Sequence, residues 1–359
     1  MRILHVSDVY EPRLGGIERQ VADLAAQQRR RGHRSTVLTA THGPAGPHLL
    51  RWPSAMAQPL TALQHTAPDV VHCHSSVMSP LAWSVARAAS RRGVPTVVTM
   101  HSLVASRSLQ SLPLRALAAR LPAGVVWSAV STVAATALQG VVGRDVQVLH
   151  NGIDPSWWRT SDVGTRSPLT VVSVMRLAAR KRPLSLVHTL HEVDRHLGGS
   201  VPWTAVIAGS GPQETAVRRE IGRRGLEDVV RLAGRLEHAA VVDLLARSDL
   251  YVAPALLESF GIAALEARCA GVPVVGVRGT GVAEFVRHDV DGLLVDDGSE
   301  MVDAVAGLLR EPARLRDLAR ASAESAPRQS WSHVLQRCDE LYERAAWQTS
   351  GAHRTAAVH

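Results

Sequence analysis

Short β-branched runs alternate with longer amphipathic stretches along the whole chain. In the first half the runs are RILHVSD (2–8), STVLTA (35–40), DVVHCHS (69–75), TVVTMHS (96–102), GVVWSAVS (124–131) and VQVLHNG (146–152). Their near-continuous apolar character suits parallel strands buried on both faces, and strands alternating with helices predict βαβ units. A polar stretch at 155–168 follows, rich in Ser, Trp, Asp and Gly, and then the pattern restarts. The second set is LTVVSVM (169–175), WTAVIAG (203–209), VVRLAG (229–234), LYVAPA (250–255), PVVGVRG (273–279) and GLLVDDG (292–298). Two similar halves predict an α/β chain of two Rossmann-like, doubly wound domains at 1–154 and 169–330, with 155–168 as linker. Ligands of open parallel sheets sit beyond the carboxyl ends of the strands, so a cleft between the two facing sheets is the expected active site. The segment WSHVLQRCDELYERAA has apolar residues at helical spacing, which predicts a terminal helix over 331–347 packing back toward the first domain. Residues 348–359 read as a disordered tail.

Composition narrows the class. Over 359 residues, 46% are apolar and 20% charged, the balance of a globular enzyme and not of a disordered chain. The sequence contains neither a long uninterrupted apolar stretch nor a basic-then-apolar leader, so the expected location is cytoplasmic. Cys73, Cys269 and Cys338 lack paired metal spacing and read as buried thiols, which argues against a disulfide framework or a zinc site. The formal charge of +8 would attract nucleotide phosphates, acidic lipid or nucleic acid, but the arginines are dispersed and equally suit a solvated surface.

The densest chemistry runs from 253 to 266, APALLESFGIAALE, where a strand ends in a loop carrying Glu258 and Gly261 before a helix that contains Glu266. Glycine admits close backbone approach, the free amides of a helix start favour phosphate oxygens, and carboxylates accept from sugar hydroxyls. Upstream, VVSVMRLAARKRP places Arg176 and Lys181 just past a strand, where two cations can neutralise a diphosphate and stabilise its departure. Each cluster alone has a plainer reading, a helix cap or a solvated basic turn; their coincidence is what points to a site. LGGIE (14–18) and GSGP (209–212) are weaker glycine turns that could admit a phosphate or simply be tight turns. His101 and Ser131 each end a strand on the expected cleft side. Asp289 and Asp291 precede a strand and read as structural, so no metal site is expected.

These residues resemble the retaining GT-B glycosyltransferases of family 4, which include bacterial mannosyl-, glucosyl- and N-acetylglucosaminyltransferases. The resemblance spans 1 to about 345 and is carried by LGGIE, NGID (151–154), RLAARKRP (176–183), GSGP, ESFGIAALE (258–266) and GVAEFVRHDVDGLLV (281–295). It implies a metal-independent hexosyltransferase with no cofactor beyond a nucleotide-sugar donor, a UDP-sugar or GDP-mannose, and an acceptor such as a lipid or cell-envelope glycan precursor. By position it assigns Arg176 and Lys181 to the donor diphosphate, Glu258 to the transferred sugar and Glu266 to the ribose. Ser259, Phe260 and Gly261 would supply backbone donors, His101 would contact sugar or acceptor, and Gly16, with Gly209, would lie near the phosphates. The sequence departs from the family pattern at His150, Met175 and Ala255, where Pro, Gly and Ser are common, and Met175 is expected to crowd the phosphate turn. The segment 41–66 is short and holds four prolines.

Two other readings compete: a sugar-nucleotide epimerase on the same fold, and a non-catalytic basic binding module. The 258–266 cluster speaks against the first, and the lack of any RNP-like, zinc-spacing or basic-helix motif against the second, so no nucleic-acid partner is expected. A weak, peripheral contact with anionic membrane is a further expectation from 106–124. There Leu114, Leu117, Ala118 and Leu121 share a helical face and Arg107, Arg115 and Arg120 lie off it. An ordinary helix packing on its own sheet explains the same pattern.

Overall fold

The computed structural model describes residues 1–13, 15–52, 59–104, 111–158, 167–325 and 327–356. The chain forms two compact units, Met1–Gly152 together with Trp331–His359, and Ile153–Ser330.

The first unit is built on β1 (Arg2–Ser7), β2 (Arg34–Thr39), β3 (Leu49–Arg51), β4 (Val70–Ser75), β5 (Thr96–Met100), β6 (Val126–Ala129) and β7 (Val146–Val148). They form one seven-stranded sheet in the order β3-β2-β1-β4-β5-β6-β7, every pairing parallel. Its helices are α1 (Gly16–Arg30), α2 (Pro59–Thr66), α3 (Pro80–Arg91), α4 (Leu112–Arg120) and α5 (Thr132–Val142). The central strand β4 is buried at all its positions, as a parallel strand covered on both faces must be. The segment 41–66 is therefore more than a loop: it adds β3 at the sheet edge and the helix α2. Three residues with no alternation, LLR, are too short to signal a strand, and pairing with β2 makes them one.

The second unit is built on β8 (Leu169–Val174), β9 (Trp203–Ala208), β10 (Val230–Gly234), β11 (Leu250–Ala253), β12 (Val274–Val277) and β13 (Gly292–Val295). Their order is β10-β9-β8-β11-β12-β13, again all parallel. The helices are α6 (Pro183–Leu197), α7 (Glu214–Arg223), α8 (His238–Ala246), α9 (Ile262–Cys269), α10 (Gly298–Arg310) and α11 (Pro312–Glu324). Local rules set their ends: Pro183 opens α6 and left-handed Gly198 closes it, while the Asp297 carboxylate accepts from the amides of Ser299 and Glu300 to start α10. Of the stretch read as linker, residues 155–157 form a 3-10 turn within this unit, capped by Asp154, and 159–166 lie outside the described residues.

The chain then returns to the first unit as α12 (Trp331–Ala356). Val334, Leu335, Cys338, Leu341, Tyr342 and Ala345 pack against Ile3, Val70, Val97 and Val126 of the first sheet. The helix runs well past the expected end at 347, so the segment 348–356 is not a disordered tail. Thr349 and Ser350 satisfy their hydroxyls on the carbonyls of Ala345 and Ala346 within this helix.

The stretch 106–124 divides. Residues 106–110, Arg107 among them, lie outside the described residues, and α4 buries Leu114, Ala118 and Leu121 in the core of its own unit. Its apolar face is thus used internally, leaving exposed Leu112, Arg115 and Arg120. Among the described residues, no helix is long and apolar enough to cross a membrane.

Candidate active site

In the second unit the strand order reverses direction between β8 and β11, the place where connecting loops diverge and leave a crevice. The loops after those two strands carry the residues singled out above. Arg176 follows β8 directly, and Lys181 ends a 3-10 turn at Ala179–Lys181 before α6. Glu258 lies in the loop after β11, and Glu266 on α9 beyond it. The structure brings Lys181 and Glu258 together: the ammonium donates to Glu258 Oε2, with side chains 26% and 13% exposed. Arg176 is exposed, and among the described residues its guanidinium has no ion-pair partner. One cation is thus held by the acidic loop while the other is open to an anion.

The loop 258–261 is held from beneath. Phe260 is buried and packs on Phe285, ring centroids 5.7 Å apart, so this residue can offer a ligand only backbone. Gly281, whose amide donates to the Glu258 carbonyl at 2.9 Å, lies so close that a Cβ there would collide with Phe260 and Ser259. Gly261 adopts φ +92° and starts α9 without a side-chain cap. Tyr251 ties the two strands together: its hydroxyl donates to the Val174 carbonyl at 2.9 Å. Burial, reinforced by the carboxylates of Glu266 and Glu258, pushes its pKa well up and keeps it a neutral donor. Neither Tyr251 nor Gly281 announces itself in sequence, because each acts on the frame under the loop.

Gly209 has a packing reason to be glycine, whatever ligand it also meets. It takes φ +128°, and a Cβ there would collide with the Met175 carbonyl. Its small size serves the packing of two strand-end loops, with Leu177 N donating to Ser210 O at 3.0 Å. Met175, expected to crowd the phosphate turn, is half-buried and packs against the core of the unit. A cavity of about 460 Å³ lies along α6 and the start of α10, lined by residues such as Ser185, His188, Leu256 and Met301, and none of Arg176, Lys181, Glu258 or Glu266 faces it. Asp291 is fully buried and paired with Arg268 at 2.9 Å and Arg287 at 2.7 Å, while Asp289 meets Arg314 at 2.7 Å.

In the first unit the corresponding reversal lies between β1 and β4. The α3 N-terminus there is already filled: Asp8 accepts from the amides of Leu81 and Ala82 at 2.9 and 3.0 Å. Burial raises the Asp8 pKa, and those amides oppose the rise. At α1, a Cβ on Gly15 would collide with the Glu18 carboxylate, which folds over the helix start and pairs with Arg13 at 3.3 Å. Gly16, the first residue of α1, is exposed beside it, and Leu14 lies outside the described residues. Ser131 is a helix cap, accepting from Ala134 N at 3.1 Å to start α5. His101 follows β5, half-buried, with its Nε2 3.0 Å from His74 Nδ1.

Two family profiles match the chain: "Glycosyltransferase Family 4" over residues 14–157 and "Glycosyl transferases group 1" over 163–325. D-inositol 3-phosphate glycosyltransferase 2 of Catenulispora acidiphila is 30% identical over 305 residues, covering 77% of this chain and 71% of that protein. A glycogen synthase of Mycobacterium tuberculosis is 27% identical over 378 residues, covering 90% of each chain. Among solved structures, Anabaena HepE in complex with UDP superposes with a TM-score of 0.77 at 22% identity, over 95% of this chain and 99% of that one. The same protein has also been solved with UDP-glucose.

Proposed function

Because this chain belongs to glycosyltransferase family 4 and is a glycosyltransferase of the GT-B fold, we propose that its second unit binds a nucleotide-diphosphate sugar and transfers the hexosyl group with retention of configuration. The Lys181–Glu258 ion pair, standing where β8 and β11 diverge, carries this reading. A donor offers both partners something better. Its diphosphate takes the ammonium of Lys181 and the exposed guanidinium of Arg176, and its hexose hydroxyls take the Glu258 carboxylate. Glu266 on α9 accepts from the ribose, and the backbone of Ser259, Phe260 and Gly261 donates to sugar and phosphate. As the glycosidic bond breaks, negative charge grows on the leaving diphosphate, which is where two fixed cations lower the barrier. In the first unit we assign His101 to contact with sugar or acceptor and Gly16 to the neighbourhood of the phosphates. The cations present suffice for the leaving group, so a metal is not part of the proposed chemistry. The epimerase reading is not favoured by the relatives, and transferase membership displaces the binding-module reading.

The donor is expected to be a UDP-sugar or GDP-mannose. A ligand that binds only the folded protein raises its apparent stability, by about 2.7 kcal/mol at a hundredfold excess over Kd. A thermal-shift series with UDP, GDP and ADP and their sugars, with and without EDTA, is therefore expected to single out one base and to be indifferent to chelator. No shift with any nucleotide would overturn the proposed donor site.

The acceptor is expected to be a lipid or a cell-envelope glycan precursor. Weak peripheral membrane contact would rest on Arg115 and Arg120 beside exposed Leu112, each cation contributing about 1 kcal/mol near an anionic surface. Co-sedimentation with anionic vesicles at low salt is expected to exceed that with neutral ones and to fall when both arginines are changed to Ser. Equal partitioning of the two proteins would leave a soluble acceptor.

A further inference from the structure

The sheet of the first unit contains a file of histidines whose inner members none of the roles above employs. His5 on β1 places Nε2 2.6 Å from Gln28 Oε1 of α1 and Nδ1 2.9 Å from His74 Nε2 on β4. His74 in turn places Nδ1 3.0 Å from His101 Nε2 after β5. His5 and His74 are 0% and 3% exposed, and the file ends at half-buried His101. Burial lowers the pKa of every member, His5 and His101 to about 4 and His74 well below its ordinary value, with Asn151 opposing the fall at His101. All three rings are neutral at pH 7, and a neutral imidazole has one N–H and one lone pair.

Single-file contacts between such rings permit only two arrangements, because fixing one proton fixes the next. The inner end decides which. Gln28 Nε2 donates to the Tyr342 hydroxyl of α12 at 2.9 Å, and its Oε1 also receives the Ser35 hydroxyl at 3.3 Å. The carbonyl oxygen therefore faces His5, which must donate from Nε2 and accept at Nδ1. His74 then donates from Nε2 to His5 and accepts at Nδ1, and His101 must donate from Nε2. We propose that Gln28, His5 and His74 are positioning residues that hold His101 as its Nε2–H tautomer, which makes Nδ1 the acceptor atom of that ring. The consequence for turnover rests on the assignment of His101 to sugar or acceptor contact; the tautomer itself does not.

A metal is the other use for such a cluster, since ligand atoms of His5, His72 and His74 lie within 4.8 Å of one another. The geometry argues otherwise. Every one of those nitrogens already has a protein partner, His72 binding Tyr342 and Thr99. The rings of His72 and His74 stack at 4.3 Å and 29°, so their in-plane lone pairs do not converge.

The test is the ring-nitrogen spectrum of the full chain labelled with ¹⁵N-histidine, in which protonated and bare nitrogens are well separated. His101 in the unsubstituted protein is expected to show one tautomer, Nε2–H. In His5→Phe it is expected to average between tautomers, while kcat falls roughly tenfold at unchanged donor KM, the size seen when a partner that orients a functional histidine is lost. His72→Phe, which removes an equally buried ring without cutting the file, is expected to leave the His101 pattern intact. Gln28→Met at the file's end serves if His5→Phe does not fold. A proton on Nδ1 of His101, or a pattern unchanged by cutting the file, would overturn the proposal; a shifted tautomer with unchanged turnover would uphold the file and remove His101 from the site.

Discussion

Alanine at Lys181 or at Glu258 is expected to lower kcat/KM for the donor by about 10²-fold to 10³-fold, and alanine at both by far less than the product of the two losses. The two side chains form one ion pair, so each single change also leaves the other charge misplaced. Without Lys181, the carboxylate of Glu258 stands unneutralised where the diphosphate must sit and repels it. Without Glu258, the sugar loses its acceptor and Lys181 loses the partner that orders it. Arg176 stands outside the pair, so Arg176→Ala combined with Lys181→Ala is expected to show nearly multiplicative losses. Arg176→Lys keeps the charge but loses the planar fork, and is expected to recover only part of the activity. Nucleotide release under steady-state conditions, with a melting curve for each variant, measures the cycle. A natively folded Glu258→Ala protein with near-normal turnover would refute the assignment, and so would activity restored to Lys181→Ala only by added divalent metal.

How much of this was legible in sequence depends on range. Strands such as β9 and β12 are almost wholly buried and read as nearly unbroken apolar runs, so the twofold α/β pattern is visible directly. The edge strand β3 is half-buried and three residues long, and it exists only through its pairing with β2. The end of α12 was hidden because Thr, Ser and Gly are weak helix formers and read as a tail, although the helix continues to Ala356. Arg176, Lys181 and Glu258 were visible because polar residues interrupt apolar strand ends. Their meeting was not: Lys181 and Glu258 are 77 residues apart and become neighbours only through the crossover that sets β11 beside β8. Gly209 was visible but its packing role was not, since a glycine required by a neighbouring carbonyl looks the same in sequence as one required by a ligand. The histidine file was invisible for a further reason. His5, His72 and His74 share a face only in the observed β1–β4 register, which pairs His5 with His72 and Ser7 with His74, and a slip of one residue would point them to opposite sides.

Mild acid is expected to destabilise the first unit well before carboxylates titrate. His5, His72 and His74 are essentially fully buried and His101 is half-buried beside them; burial lowers the pKa of each, His5 and His101 to about 4 and the other two well below the ordinary value, with neighbouring imidazoles adding repulsion at His72 and His74 and Arg29 at His5. In the unfolded chain the same side chains bind a proton near the ordinary value of about 6.5. Between those two values the unfolded state holds more protons than the folded one, so stability is complete above about pH 6.5 and is lost as pH falls toward 4. At pH 5.5 each histidine that must stay neutral costs about 1.4 kcal/mol, and the four together about 6 kcal/mol. For a unit of this size that corresponds to a Tm lower by on the order of 10 °C. Asp8, whose pKa burial raises, works in the opposite direction at lower pH and does not offset the loss at 5.5. Calorimetry at pH 7.5 and 5.5 is expected to show this fall in the transition of the first unit. His72→Phe, which removes one of the four protonation sites from the balance, is expected to lower Tm at pH 7.5 by leaving Thr99 and Tyr342 short of a partner, yet to shrink the pH-dependent fall by about a quarter. A Tm that does not change between the two pH values would mean that these imidazoles can take up protons within the fold, by opening to water or by moving apart.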